Sequence, residues 1–212
     1  MEVLLRLSRV TSAQWGLVTT AQAARLGVSR LYLSRLADAG HLERLGHGVY
    51  QAAGAPADRL QALKVAWLSL TPKLTAEEQL RQPAPGAVVS GAAAAFLHGL
   101  GDLVPEPYEF TVPTRRQTQR PEIRFRLRRL PAESVTVREG LPVTTAEQTI
   151  TDLVEARTDR SLVADVLADA RGIDRARLAD LLAPLAARNG FASGAALRDH
   201  LEHLRSPARQ EA

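Results

Sequence analysis

Between residues 19 and 40 the apolar positions fall at helical spacing in two short runs, separated by one glycine. Ala21, Ala23, Ala24 and Leu26 form the first run, with Thr20 as its expected N-cap. Gly27 ends it, because glycine accepts the left-handed backbone of a tight turn. Val28 follows as an expected buried plug, and Ser29 is placed to cap a second helix that turns Leu33, Leu36 and Ala37 inward. Gly40 closes that helix. Ala23 sits where the two helices must cross steeply, and its small side chain lets them approach. The pattern is that of a helix-turn-helix. Ahead of it, Val3, Leu4, Leu7 and Val10 fit an amphipathic helix packed on the pair.

After Gly40 the period becomes that of strands. In HLERLGHGVYQ (41–51), Leu42, Val49 and Tyr50 are strand residues, and Gly46 and Gly48 supply a turn. A hairpin directly after the second helix reads as a wing. The second helix carries Ser29, Arg30, Ser34 and Arg35 on its polar face, with Tyr32 beside them. In this motif the second helix lies in the major groove and its N-terminal residues reach base edges. A guanidinium bonds guanine edges or phosphates bidentately. The candidate DNA-binding residues are therefore Ser29, Arg30, Tyr32, Ser34 and Arg35 on the helix, with Arg44 and His47 approaching the backbone or minor groove from the wing. Double-stranded DNA is the expected partner.

Further on, Leu60, Leu63, Ala66, Trp67 and Leu70 predict a helix at about 57–70. Residues 71–86, with Pro72, Pro83, Pro85 and Gly86, predict a loop and a domain boundary. We expect two domains, 1–80 and 81–212. Ser90 is placed to cap a short helix from Ala92 to His98, closed by Gly99. PYEFTVP (107–113) and IRFRLRRL (123–130) alternate as strands. In the second, Ile123, Phe125, Leu127 and Leu130 are expected to face a core and Arg124, Arg126 and Arg128 to face outward. VTVREGLPVTT (135–145) gives two short extended pieces about Glu139–Gly140. Helical patterns follow at 146–157, about 160–171, 175–189 and 193–205. The expected fold class is α+β: a winged helix-turn-helix, then a mixed α/β domain ending in helices.

Charge sharpens this picture. The net charge is +4. It divides as +4 in residues 1–70, −3 in 71–110, +6 in 111–130 and −3 in 131–212. The +6 block holds Arg115, Arg116, Arg120, Arg124, Arg126, Arg128 and Arg129, a candidate second basic surface. It would extend a DNA footprint, face an acidic partner, or pair with the chain's own acidic helices. With no cysteine there is no disulfide and no thiolate metal site. The chain lacks an 18-residue apolar run and a signal-peptide pattern, so no membrane contact and a cytoplasmic location are expected.

With both halves in view, the chain resembles the AbiEi antitoxins of bacterial abortive-infection and toxin–antitoxin systems. The resemblance rests on GLVTTAQAARLGVSRLYLSRLADAGHLERLGHGVY (16–50), VVSGAAAAFLHGLGDLVP (88–105), FTVPTRR (110–116) and LPVTTAEQTITDLVE (141–155). It implies an N-terminal domain that binds inverted repeats in its own promoter and represses the operon. It also implies a C-terminal domain that counteracts a nucleotidyltransferase-like toxin. On this sequence the repressor role falls on Ser29, Arg30, Ser34, Arg35, Arg44 and His47. The part after residue 155 is short for the family.

Other chemistries find less support. An effector-sensing, stand-alone winged-helix regulator is the alternative. A metal-dependent nuclease needs clustered carboxylates and usually a lysine. The lysines are only Lys64 and Lys73, and EIRFRLRR carries arginines where carboxylates would be needed. His200 and His203 share a helix face with Glu202 between them, but further metal ligands are not evident. His98 reads as a capping or partly buried histidine. No glycine-rich loop precedes a lysine, so no nucleotide site and no cofactor are expected. The expectation is a DNA-binding antitoxin and not an enzyme.

Overall fold

The structure is a computed structural model; it describes residues 2–82 and 86–204. Pro83 and Pro85, part of the expected loop, lie outside the described residues. The chain divides into two compact units, 1–85 and 86–212. The architecture is α+β, with helices and two separate sheets.

The first unit runs α1 (Glu2–Thr11), β1 (Leu17–Thr19), α2 (Thr20–Arg25), α3 (Arg30–Asp38), β2 (Leu42–Gly46), β3 (Val49–Ala52), α4 (Gln61–Leu70) and α5 (Ala76–Leu80). Its sheet is antiparallel in the order β1-β3-β2. Leu7, Val18, Ala23, Val28, Leu33, Leu36, Leu42 and Tyr50 form one core, with Val3, Leu4 and Val10 of α1 packed on it. Burying Leu33 and Leu36 contributes about 2 kcal/mol each. The α2 cap is Thr19, not Thr20. Thr19 accepts from the Gln22 backbone, and the Gln22 side chain returns the bond to the Thr19 N–H. Thr20 instead donates to the Gly48 carbonyl at 3.3 Å, tying α2 to the turn between β2 and β3. Strand β1 and helix α5 were not expected; α5 occupies part of the stretch read as a loop. Gln22 Nε2 donates to the Leu74 carbonyl at 2.7 Å, and the Ala76 N–H donates to Gln14 Oε1 at 2.7 Å. These bonds from buried glutamines hold the chain around α5 against the helix-turn-helix.

The second unit runs β4 (Val88–Ser90), α6 (Gly91–His98), β5 (Tyr108–Val112), β6 (Ile123–Leu127), β7 (Val135–Arg138), β8 (Leu141–Thr144), α7 (Ala146–Glu155), α8 (Arg160–Asp169), α9 (Arg175–Ala186) and α10 (Gly194–His203). The sheet order is β6-β5-β4-β8-β7, with β4 parallel to β8 and β5 parallel to β6. Strands β7 and β8 close through Glu139 and Gly140, both at positive φ, as a two-residue hairpin turn requires. Ile150, Leu153, Val163, Val166, Leu178, Leu182, Leu197 and Leu201 gather α7 to α10 around one core, with Ala95 and Leu100 from the α6 region.

Two side-chain expectations for this unit are corrected. Ser90 precedes α6 but makes no cap bond; its hydroxyl is buried without a partner among the described residues. Strand β6 does alternate, yet Leu127 is exposed, while Arg126 and Arg128 turn towards α7 and not outward.

Candidate nucleic-acid interface

Helix α3 is fixed at both ends. Ser29 Oγ accepts the Tyr32 N–H at 3.2 Å, and Gly40 at positive φ ends the chain's helical course. Leu33 and Leu36 anchor the inner side in the core, leaving Arg30, Leu31, Tyr32, Ser34 and Arg35 exposed. The wing follows: β2 carries exposed Arg44, and exposed His47 lies in the turn before Gly48.

A single groove is lined by Arg30 of α3, Arg44 and His47 of the wing, and Thr20 and Ala21 at the start of α2. A neighbouring depression joins Ser34 to Glu43 and Arg44. All seven expected residues lie on α3, its cap or the wing, and four of them, Arg30, Ser34, Arg44 and His47, line the two depressions, while Ser29 caps α3 outside both. Tyr32 and Arg35 stand on the outer surface of α3 and line neither depression. Such a groove presents guanidinium and imidazole donors in a concave strip. Leu31 was missed by sequence reading. It is a leucine in an apolar-rich helix, and only its angular position opposite Leu33 and Leu36 marks it as outward.

The arginine-rich block divides in the structure. Arg115, Arg124 and Arg129 are exposed. Arg120 Nε pairs with Glu122 at 2.6 Å. Arg126 bonds Glu109 at 2.9 Å and Glu155 at 2.6 Å, and Arg128 bonds Asp152 at 2.7 Å and also Glu155. Burial raises the Asp152 pKa against the pull of both arginines. Burial pulls the Arg126 guanidinium down, but Glu109, Asp152 and Glu155 outweigh it and its pKa ends raised. Burial likewise opposes ionisation of Glu155, yet Arg128 and Arg126 prevail and lower its pKa. Three carboxylates therefore converge here, which sequence reading did not find. They face guanidinium groups, whose charge repels a divalent cation.

The histidines of the second unit have structural partners. His98 Nε2–H donates to the Thr144 carbonyl at 2.7 Å, and burial lowers its pKa. His200 packs on the Phe191 ring at 4.8 Å, His203 bonds the Asp199 carbonyl, and Glu202 pairs with Arg175. Among the described residues no group of three or more His, Cys, Asp and Glu is arranged to hold a metal ion. None of the described helices is long and apolar enough to cross a membrane.

Comparison with known sequences places this geometry. Residues 6–53 match a family described as "Transcriptional regulator, AbiEi antitoxin", and residues 87–203 match the AbiEi antitoxin C-terminal domain. The chain belongs to the AbiEi antitoxin family. The first match spans α1 to the wing, and the second spans the sheet and helices of the second unit. As an AbiEi chain it is an antitoxin-type regulator. No curated protein matches it significantly. Among solved structures it is similar in fold to the RV2827C protein from Mycobacterium tuberculosis. The TM-score is 0.51 and the identity 19%, over 93% of this chain and 76% of that one.

Proposed function

We propose that the first unit binds its own operator as double-stranded DNA, an inverted repeat, and represses the operon. Helix α3 enters the major groove, and the wing lies on the adjoining backbone or minor groove. One observation carries this reading: Arg30 of α3 and Arg44 and His47 of the wing line the same groove, so the donors can follow one strand of DNA. Arg35 and Ser34 meet base edges, and Ser29 and Tyr32 stand at the helix entrance. We infer that the second unit counteracts a nucleotidyltransferase-like toxin. The match of residues 87–203 to an antitoxin domain supports this division of labour.

The test is the full-length Arg30→Ala, Arg35→Ala double variant. It is expected to lose promoter binding in a gel-shift assay while still protecting cells that express the toxin. Unchanged affinity for the promoter fragment would remove α3 as the recognition helix. Loss of protection in a correctly folded variant would break the division between the two units.

A further inference from the structure

Leu31 occupies the centre of the face that α3 turns away from its own core. Leu33 and Leu36 are buried and Ala37 is half-buried, which fixes the inward direction of the helix. At about 100° per residue, the opposite direction falls between Leu31 and Arg35. Ser34 and then Arg30 lie to the wing side of that line, and Tyr32 lies at the other edge. Asp38 shares the line but sits two turns on, at the end of α3. Leu31 is 63% exposed, in the first turn of the helix.

We propose that Leu31 is a specificity-determining residue whose isobutyl group rests on the C5-methyl of a thymine in the major groove. The inference rests on the reading of α3 as a recognition helix. The thymine methyl is the apolar group that base edges offer in that groove. N-terminal residues of a recognition helix come closest to the base edges, which is where Leu31 stands. The charges around it select the occupant. Arg30 and Arg35 flank it on α3, and Arg44 and His47 lie beyond Arg30 on the wing. A polyanion satisfies them; a second copy of the same face would set arginine against arginine. Arg35 follows Leu31 by one helical turn, about 6 Å along the axis, so the two address base pairs roughly two steps apart.

The experiment uses full-length protein and overlapping duplexes from the DNA upstream of its own gene. Within the duplex that binds, each thymine is replaced in turn by deoxyuridine, which lacks only the C5-methyl. We expect one thymine in each half-site whose replacement weakens binding about fourfold, the value of one methyl-sized apolar contact. Leu31→Ala should bind the thymine duplex more weakly and no longer distinguish thymine from deoxyuridine there. A flat deoxyuridine scan with wild-type protein overturns the proposal and leaves operator binding standing. So does a deoxyuridine penalty that Leu31→Ala retains in full. Absence of binding to every duplex overturns the DNA reading and this inference together. If Leu31→Ala instead converts a dimer to a monomer in DNA-free sedimentation, with the thymine penalty unchanged, the face belongs to a second copy.

Discussion

The Arg25 guanidinium holds the Glu78 carboxylate through two parallel hydrogen bonds of 2.9 and 2.7 Å, across 53 residues of chain. The same guanidinium donates to the Lys73 carbonyl at 2.7 Å. Arg25 ends α2, and Glu78 closes the capping box of α5. One side chain thereby attaches the first helix of the helix-turn-helix to the segment that follows α4. Bidentate pairing gives geometry as well as attraction, so it sets where α2 ends relative to α5.

The Arg25 hydrogen bond, joined by the Thr75 N–H, holds the Glu78 pKa at about 2, below its ordinary 4.5. A depressed carboxylate stabilises the fold above its unfolded pKa, and that contribution disappears as pH falls through the folded value. The contribution is therefore whole at neutral pH and fades between about 4.5 and 2. Arg25→Ala should move the Glu78 titration up towards its ordinary range, read by carboxyl carbon shifts in an NMR pH titration. Arg25 is exposed and Glu78 only half-buried, so water screens the pair and the melting temperature at pH 7 should change little. An unmoved Glu78 titration would assign the shift to the α5 cap alone.

Arg126 and Arg128 show where sequence pattern stops being informative. The alternation of β6 was legible, because a two-residue period separates Ile123 and Phe125 from the arginines. What covers the arginine face was not, since Glu109, Asp152 and Glu155 lie 17 to 29 residues away in the chain. Arg126→Ala would remove the hydrogen bonds to half-buried Glu109 and Glu155 and the 3.6 Å ion pair to fully buried Asp152, whose Oδ2 already lacks a partner among the described residues. Breaking one side of a buried ion network costs about 3 kcal/mol, and exposed Arg124→Ala should cost under about 0.5 kcal/mol. Urea unfolding followed by circular dichroism separates the two. Equal midpoints would mean that the β6 arginines are not structural.

Short buried strands escaped for a related reason. Strands β1 and β4 have three residues each, every one buried, so neither displays alternation. The helix-turn-helix was legible because its punctuation is local: the Gly27 turn, the Ser29 cap and the Gly40 stop all follow from backbone chemistry. Leu31 escaped because composition assigns a leucine to a core, whereas its angle on α3 assigns it to the surface.

Gly194 begins α10 where that helix meets α9. A Cβ there would lie 2.0 Å from the Ala179 carbonyl oxygen and 2.6 Å from the Ala183 nitrogen. Both are backbone atoms of α9, which cannot rotate aside as a side chain would. Gly194→Ala therefore forces the two helices apart and opens contacts around Leu182 and Leu197. The expected loss is about 3 kcal/mol, the upper range for overpacking. Thermal unfolding of Gly194→Ala beside Gly172→Ala tests it, because a Cβ at Gly172 meets nothing within 4 Å. Gly172 lies at positive φ, so its replacement should cost only backbone strain of about 1 kcal/mol. A Gly194 variant that melts with or above the Gly172 variant would contradict this packing.

The groove between α3 and the wing makes a prediction about salt. A phosphate contact adds about 0.9 log units to the slope of affinity against salt concentration, whatever the base sequence. Arg44 belongs to the wing, whose place is the backbone, so Arg44→Ala should lower that slope by about one contact on operator and unrelated DNA alike. Arg35, on the outward face of α3, should act differently. If it reads a guanine edge, Arg35→Ala should weaken operator binding about tenfold or more and barely change binding to unrelated DNA. Fluorescence anisotropy over a salt series, with both duplexes and both variants, yields the four slopes and affinities. Equal losses on both duplexes for Arg35→Ala would move Arg35 to the backbone and leave specificity to Leu31, Ser34 and Arg30.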